Sequence, residues 1–235
     1  MLPQLQQYPA ARAGPEITLK GIVSRPEKRF LNPLWDRTLT IDALKLRIGA
    51  SPSQRNHGVP VFETEFDRPD ASHQMGLVAG GSTIATGRLT VRTDESPGVL
   101  AQWVETPDPE IRQLLTSSSF ADLSRFVVTG SERGKGIFTV ALAAAVNFGV
   151  SNLGVTKYAL VIENGTAHRK AVERLGFGPV AENVRVRVGS CDPYLMSLHV
   201  LDMEHGASKV QFEAEAANAL HKAQRHGFVG LKLAL

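Results

Sequence analysis

The residues best placed to do chemistry gather in "ADLSRFVVTGSERGKGI", residues 121 to 137. Asp122 and Arg125 stand three apart in an apolar, β-branched run. Arg133, Gly134, Lys135 and Gly136 follow it, and Ile137 opens an alanine-rich helical pattern. A turn that leaves a strand and enters a helix points several unpaired backbone N–H groups at one spot, and the helix dipole adds positive potential there. Glycine lets the backbone come close to a ligand, while arginine and lysine supply charge. That is chemistry for phosphate. Two nucleotide motifs can be tested against it. "GSERGKG" is one residue short of P-loop spacing and has glycine where the magnesium-binding hydroxyl belongs, and "GKGIFT" lacks the third glycine of a dinucleotide fingerprint. What remains is another kind of phosphate ligand, or a helix start whose glycines serve close packing.

The elements around this turn follow from pattern and punctuation. "ITLKGIV", residues 17 to 23, reads as a strand between Pro15 and Pro26. "TIDALKLRIGA" offers Thr40 or Asp42 as cap of a short helix. "QMGLVAGG" and "STIATGRLTVRTD" form a hairpin turned at Gly80, Gly81 and Ser82. Residues 95 to 119 are polar and proline-bearing except for a short helix opened by Pro109. A strand over 121 to 128 and a helix over 137 to 150 come next. "KYALVIE" is then a strand covered on both faces. "NGTAHRKAVERLGF" is a helix from Asn164 to a stop at Gly176, with Ala167, Ala171, Val172 and Leu175 on one side. "VRVRV" and "SLHVLDM" add strands, and "KVQFEAEAANALHKAQRH" a final amphipathic helix. Strands that pair as neighbours early and alternate with helices later predict an α/β sandwich around one twisted sheet, part antiparallel and part parallel.

Bulk properties narrow the function classes. With 43% hydrophobic and 21% charged residues in 235, neither disorder nor a fibrous repeat is favoured. The net charge of +3 is not gathered in runs, which fits an acidic ligand or partner better than a nucleic-acid groove. Cys191 is the lone cysteine, so no internal disulfide forms, and a reducing, cytoplasmic setting is expected. No metal-spaced cluster occurs, and His73 and His168 read as ordinary polar residues. The longest apolar run, near Phe138 to Val146, is too short to span a bilayer. Residues 1–16 read as a flexible leader, 17–208 as one domain, and 209–235 as a helix and tail packed on it.

Arg133-Gly134-Lys135-Gly136-Ile137-Phe138 resembles the R/Q-x-x-G-x-G/A signature of the GNAT acyltransferase superfamily, and "ENGTAHRKAVERLGF", roughly thirty residues on, resembles that family's second conserved helix. Within the superfamily, "ALKLRIGA", "FETEFDRPDASHQMGLV", "TIATGRLTVRTD" and above all "DLSRFVV" resemble the acyl-homoserine-lactone synthases and the long-chain N-acyl amino acid synthases, over residues 40 to 178. The resemblance implies a GNAT-like three-layer sandwich around a mixed sheet. It implies an acyl donor carried on coenzyme A or on the phosphopantetheine of acyl carrier protein, no metal, and a small amine or amino acid as acceptor. Arg133, Gly134, Lys135, Gly136 and Ile137 would hold the pyrophosphate. Val127 and Val128 would pair with the pantetheine amides on a strand that splays from its neighbour.

Acyl transfer to an amine needs a neutral nucleophile, a polarised thioester carbonyl and a proton for the leaving thiol. The resemblance puts forward Asp122 to draw the amine proton, a strand N–H near Phe126 or Val127 for the oxyanion, and Arg125 with Arg88 to orient an acceptor carboxylate. Arg47, Asp67 and Asp70 are carried over as further substrate-binding positions, with Asp67 and Thr64 as the other register. Asp67 and Asp70 also suit a turn beside Pro69, and Arg47 and Arg88 also suit surface ion pairs. Residues three apart in a regular strand face opposite sides. Asp122 and Arg125 therefore share a pocket only across a β-bulge, expected near Ser124. Where many acetyltransferases carry a tyrosine, this chain has Ala171 or Val172. Two rival readings follow: an acetyl-coenzyme A-dependent acetyltransferase of a small amine or protein, and a non-catalytic module that senses acyl-coenzyme A.

Overall fold

Alternating apolar residues build the first half of the sheet as an antiparallel pair, β2 (Ser72–Ala79) against β3 (Ser82–Val91), with Ser72 opposite Thr90 and Leu77 opposite Ala85. The computed structural model describes residues 17–19, 72–79, 82–95, 97–128, 130–187 and 193–228. Arg47, Asp67, Asp70, Cys191, the helix expected near residue 45 and the leader lie outside these. A short strand β1 (Ile17–Leu19) flanks β2. On the other side β3 pairs antiparallel with β5 (Phe120–Val128). The chain then crosses over through α3 (Ile137–Leu153) to β6 (Lys157–Glu163), which lies parallel to β5.

Beyond β6 the parallel pattern ends. The described strands run in the order β1-β2-β3-β5-β6-β8-β7-β4, with β4 the two residues Val104–Glu105, β7 (Gly178–Val186) and β8 (Tyr194–Asp202) as an antiparallel pair and β8 next to β6. The alternating βαβαβ run expected after residue 120 thus contributes one parallel pair only. Strand β7 also starts at Gly178, well before the expected "VRVRV". Its first half carries Gly178, Pro179 and Asn183, whose φ is +56, and two register shifts, so it has no alternation to read.

Three helices cover one face of the sheet: α3, α4 (Ala167–Arg174) and α5 (Gly206–Arg225). Their core includes Leu123, Leu142, Val146, Tyr158, Val172, Leu175 and Phe212. On the opposite face α1 (Leu100–Trp103) and α2 (Pro109–Thr116) cover Ala159, Val184, Val186 and Leu198. The result is three layers. Each fully buried leucine or valine in them stabilises the fold by roughly 1.5–3 kcal/mol. Helix α1 and the two-residue strand β4 (Val104–Glu105) escape sequence reading because neither is long enough to show a period.

Local chemistry sets the helix ends. Asp108 caps α2, accepting from the N–H groups of Glu110 and Ile111, with Pro109 at the first helical position. Thr166 caps α4, two residues after the expected Asn164, and Gly176 at φ +90 follows the helix; Ala171, Val172 and Leu175 are buried but Ala167 is exposed. Helix α3 is buried nearly all round, and its alanines bring its backbone close to the sheet. The Tyr158 hydroxyl of β6 donates to the Val146 carbonyl at 2.9 Å and occupies the place a Cβ at Gly149 would take, 2.3 Å away. That contact locks the crossover helix to the strand it leads into.

Candidate functional site

The central strand breaks where the site begins. Arg88 pairs with Ser124 and Thr86 with Val127, so Gly87 alone stands opposite Arg125 and Phe126. This is a β-bulge, one residue past Ser124, and Arg125 takes the left-handed φ of +57 that it requires. Before the bulge Asp122 and Ser124 share the α1–α2 face; after it Phe126 and Val128 pack on the α3 face. In an unbroken strand Phe126 would face the other way. Its ring fills the space left by the missing side chain of Gly87, where a Cβ would lie 2.4 Å from it, and meets Phe138 edge-on at 6.4 Å.

Asp122 is fully buried, and both of its oxygens are engaged. Arg92 donates to Oδ1 from Nε at 2.8 Å and Nη2 at 2.5 Å, and the Leu100 N–H donates to Oδ2 at 2.9 Å. Gly98, at φ +88, leaves room for that carboxylate, since a Cβ there would sit 2.5 Å from Oδ2. Burial pushes the Asp122 carboxyl above the usual carboxylate range, and the Arg92 guanidinium and the Leu100 amide pull it back. The expected proton acceptor is therefore enclosed, and the arginine that meets it is Arg92 rather than Arg125. Arg92 also donates to the Leu114 carbonyl at 2.6 Å, which ties β3, β5, α1 and α2 into one network. Sequence reading missed Arg92, although it lies four residues from Arg88 and hence on the same strand face.

Arg88 belongs to that face too. It is wholly buried, donates from Nε to Ser124 Oγ at 3.0 Å, and lies 5.8 Å from the centre of the Trp103 ring. The surface ion pair considered for it is excluded, because no part of the residue reaches solvent. Arg88 and Ser124 clamp the two strands immediately below the bulge. Arg125 is partly buried.

Beside the bulge the sheet opens. β5 and β6 pair only at Phe120–Lys157, Ala121–Tyr158 and Asp122–Ala159. Past these, β6 continues with β8 as far as Glu163 and β5 continues with β3 as far as Val128. Among the described strands β5 and β6 therefore part after Asp122–Ala159, leaving a gap between them from Leu123 onward. The starts of α3 and α4 meet at the end of this gap, where the rings of Phe138 and His168 lie 4.6 Å apart.

The glycine turn lies at the head of α3. A 3-10 turn, Gly130–Glu132, leads into Gly134 at φ +78 and Gly136 at φ +85. The first helical bond runs from the Val140 N–H to the Gly136 carbonyl, so the N–H groups of Ile137, Phe138 and Thr139 precede it. A Cβ at Gly134 would meet nothing within 4 Å, whereas one at Gly136 would stand 3.0 Å from the Ala219 carbonyl of α5. Gly134 is thus the glycine a ligand can approach, and Gly136 seats the turn on α5. Arg133 is exposed. Lys135 pairs with Glu132 at 2.8 Å and lies 5.6 Å from the centre of the Phe228 ring; its hydrogen bond pulls the Glu132 carboxyl below its usual range. The side chains of Val127 and Val128, at the end of β5, are buried.

A mixed sheet that parts between two parallel strands, a bulge at the parting and a glycine turn heading the crossover helix define a GNAT fold. No family model and no curated protein matches the chain by sequence. Among solved structures, the chain is similar to FeeM, an N-acyl amino acid synthase from uncultured soil microbes, at a TM-score of 0.59 and 10% identity over 86% of this chain and 97% of that one. It is similar to BjaI, a CoA-dependent acyl-homoserine lactone synthase solved with SAM and isopentyl-CoA, at a TM-score of 0.51 and 13% identity over 89% and 100%. RimJ of Mycobacterium smegmatis, in complex with CoA-disulfide, aligns at 0.50 and 12% identity over 81% and 87%. These likenesses show a GNAT-like fold.

Among the described residues no helix is long and apolar enough to cross a membrane, and no three His, Cys, Asp or Glu are grouped to hold a metal ion.

Proposed function

We propose that this protein is an N-acyltransferase that moves an acyl group from a coenzyme A or acyl carrier protein thioester to the amine of an amino acid-like acceptor. The parting of β5 from β6 beside the glycine turn carries this reading, because it offers a gap between two parallel strands and a helix N-terminus to one extended ligand. Arg133 and the N–H groups at the head of α3 hold the pyrophosphate, with Lys135 and Gly134 completing the cradle. The β5 edge from Leu123 to Val128 pairs with the pantetheine amides. An N–H at the bulge, near Phe126 or Val127, polarises the thioester carbonyl. The amine then forms the C–N bond, the C–S bond breaks, and the sulfur leaves as a thiolate that takes up a proton from solvent, which receives the one the amine loses.

In this reading Arg125, held in its left-handed conformation at the bulge, orients the acceptor carboxylate. Asp122 and Arg88 are positioning residues: Asp122 through Arg92 and Leu100, Arg88 through Ser124 and Trp103, they fix the strand that presents the bulge. The amine proton leaves to water in the gap. The mild positive charge suits an acidic carrier protein as donor partner, and the lone cysteine suits the cytoplasm. FeeM is an N-acyl amino acid synthase and BjaI a CoA-dependent acyl-homoserine lactone synthase, and the shared fold supports the same reaction class here.

The enclosure of Asp122 and the lack of a tyrosine at Ala171 or Val172 favour one second reading, an acyl-coenzyme A sensor. Incubating the chain with acetyl-, butyryl- and decanoyl-coenzyme A or acyl carrier protein, each with a panel of amino acids, separates the two. Free thiol and N-acyl product together support the transferase; tight donor binding with neither establishes the sensor.

A further inference from the structure

Among the described residues, two that are not glycine hold a positive φ, Arg125 at +57 and Asn183 at +56. The first makes the bulge of the proposed site; the second lies on β7 and takes no part in the reaction as proposed. Asn183 sits in a bulge of its own, since Ala181 pairs with Leu198 and Val184 with Met196, leaving Glu182 and Asn183 opposite Ser197 alone. Strained backbone persists only where its surroundings over-determine it, and it gathers at functional elements. Here both bulged residues are engaged by the connection from β6 into α4. Arg169, in the first turn of α4, donates to the two oxygens of Glu182, from Nη1 at 2.9 Å and Nη2 at 2.5 Å. It also donates to Asn164 Oδ1 at 2.9 Å, to Ser197 Oγ at 3.1 Å and, from Nε, to Glu173 Oε1 at 2.8 Å. Asn164 in turn donates to Asn183 at 3.0 Å, and the buried Ser197 hydroxyl touches both Asn164 and Glu182. Two parallel bonds to one carboxylate are the fork geometry of arginine, which a lysine does not reproduce. The guanidinium is taken up by acceptors of this chain, so Arg169 acts as a clamp rather than as a contact for a ligand.

We infer, on the basis of the acyltransferase reading, that Arg169 is a positioning residue for the donor: it fixes the head of α4, which borders the gap between β5 and β6. The two ends of α4 are held differently. Its far end is tied to α5, by Arg174 to Glu215 at 2.9 Å and by Gln211 to the carbonyls of Glu173 and Arg174 at 3.0 and 3.1 Å. Its head follows directly from the part of β6 that has left β5, and there the His168 ring meets the Phe138 ring of α3. Arg169, the next residue, anchors that head to β7 and β8, on the side of β6 away from the gap. Once the anchor is removed, the width of the gap is no longer set from the α4 side. A donor lying in it then binds only the fraction of molecules whose α4 head is in place, and its apparent affinity falls by that fraction.

The test is calorimetric binding of coenzyme A to the wild type, to Arg169→Ala, to Glu182→Gln, to the two combined, and to Arg174→Ala, which removes an ion pair from the other end of the same helix. Urea denaturation establishes first that each variant is folded under the conditions used. With the α4 head in place about a tenth of the time, Arg169→Ala binds roughly tenfold more weakly than the wild type. Glu182→Gln loses part of this, because an amide offers the fork one acceptor in place of two. The combined variant loses no more than Arg169→Ala alone, since both changes break one clamp, and Arg174→Ala binds as the wild type does. If Arg169→Ala does not fold, Arg169→Lys, which keeps the charge and loses the fork, weakens binding in its place. Folded Arg169 variants with wild-type affinity, or an equal loss in Arg174→Ala, overturn the clamp and leave the acyltransferase reading standing. A wild-type chain that binds no coenzyme A overturns that reading, and the clamp with it.

Discussion

The two halves of β5 are built for different ends. From Phe120 to Asp122 the strand is closed, held between β3 and β6, and its one carboxylate is enclosed by Arg92 and the Leu100 amide. From Leu123 to Val128 it has parted from β6, is kinked at Arg125 by a left-handed residue and is followed by a glycine turn. The "DLSRF" segment that reads as one block is thus divided at the bulge. Its first part supplies rigidity, and its second part meets the ligand. Preorganised sites of this kind need both, because a strained backbone persists only where its surroundings over-determine it.

The largest expected effect lies in the closed half. Asp122→Asn leaves the Arg92 guanidinium buried without its counter-charge, a loss of about 3–5 kcal/mol. Urea denaturation should show it, with donor binding failing only as the fold does. A stable, fully folded Asp122→Asn protein that had lost turnover alone would return Asp122 to a direct catalytic part. At the bulge, Gly87→Ala drives a Cβ into the Phe126 ring, and overpacking of this kind costs about 1–3 kcal/mol.

Arg133→Ala should leave stability unchanged and weaken coenzyme A binding roughly fivefold to tenfold, less so at high salt. An unchanged affinity would leave the turn as a helix start only. The smallest effect is on pH dependence. Burial, and for His199 also the nearby Arg169, pulls His199 and His73 below the ordinary histidine value of 6.5. The unfolded chain therefore binds more protons below that value, so stability is full above pH 6.5 and falls as the pH drops through the lowered values. Urea midpoints at pH 7.5 and about pH 5.5 should differ, and His199→Gln should reduce the difference.

Much of this arrangement was legible in residue order. The hairpin, the strand at 157–163 and the long helix after the glycine turn all follow from local pattern, since each is set by neighbours within a few residues, whereas the bulge near Ser124 was implied by the family resemblance. What escaped depends on contacts far apart in the chain. Arg92 meets Asp122 thirty residues on, and α1 takes its place from a hydrogen bond to that same carboxylate. The shape under Phe126 depends on Gly87, whose significance appears only when β3 and β5 are paired. Antiparallel insertion of β8 between β6 and β7 is likewise a matter of topology, which no periodicity encodes.

The most direct test of the central claim is amide hydrogen exchange of the purified chain with and without saturating butyryl-coenzyme A. A donor lying in the parting and on the turn predicts new protection confined to residues 123–128 and 133–139, with the rest of β5 and β6 unchanged. Binding that protects neither segment, or protects another part of the molecule, would contradict it.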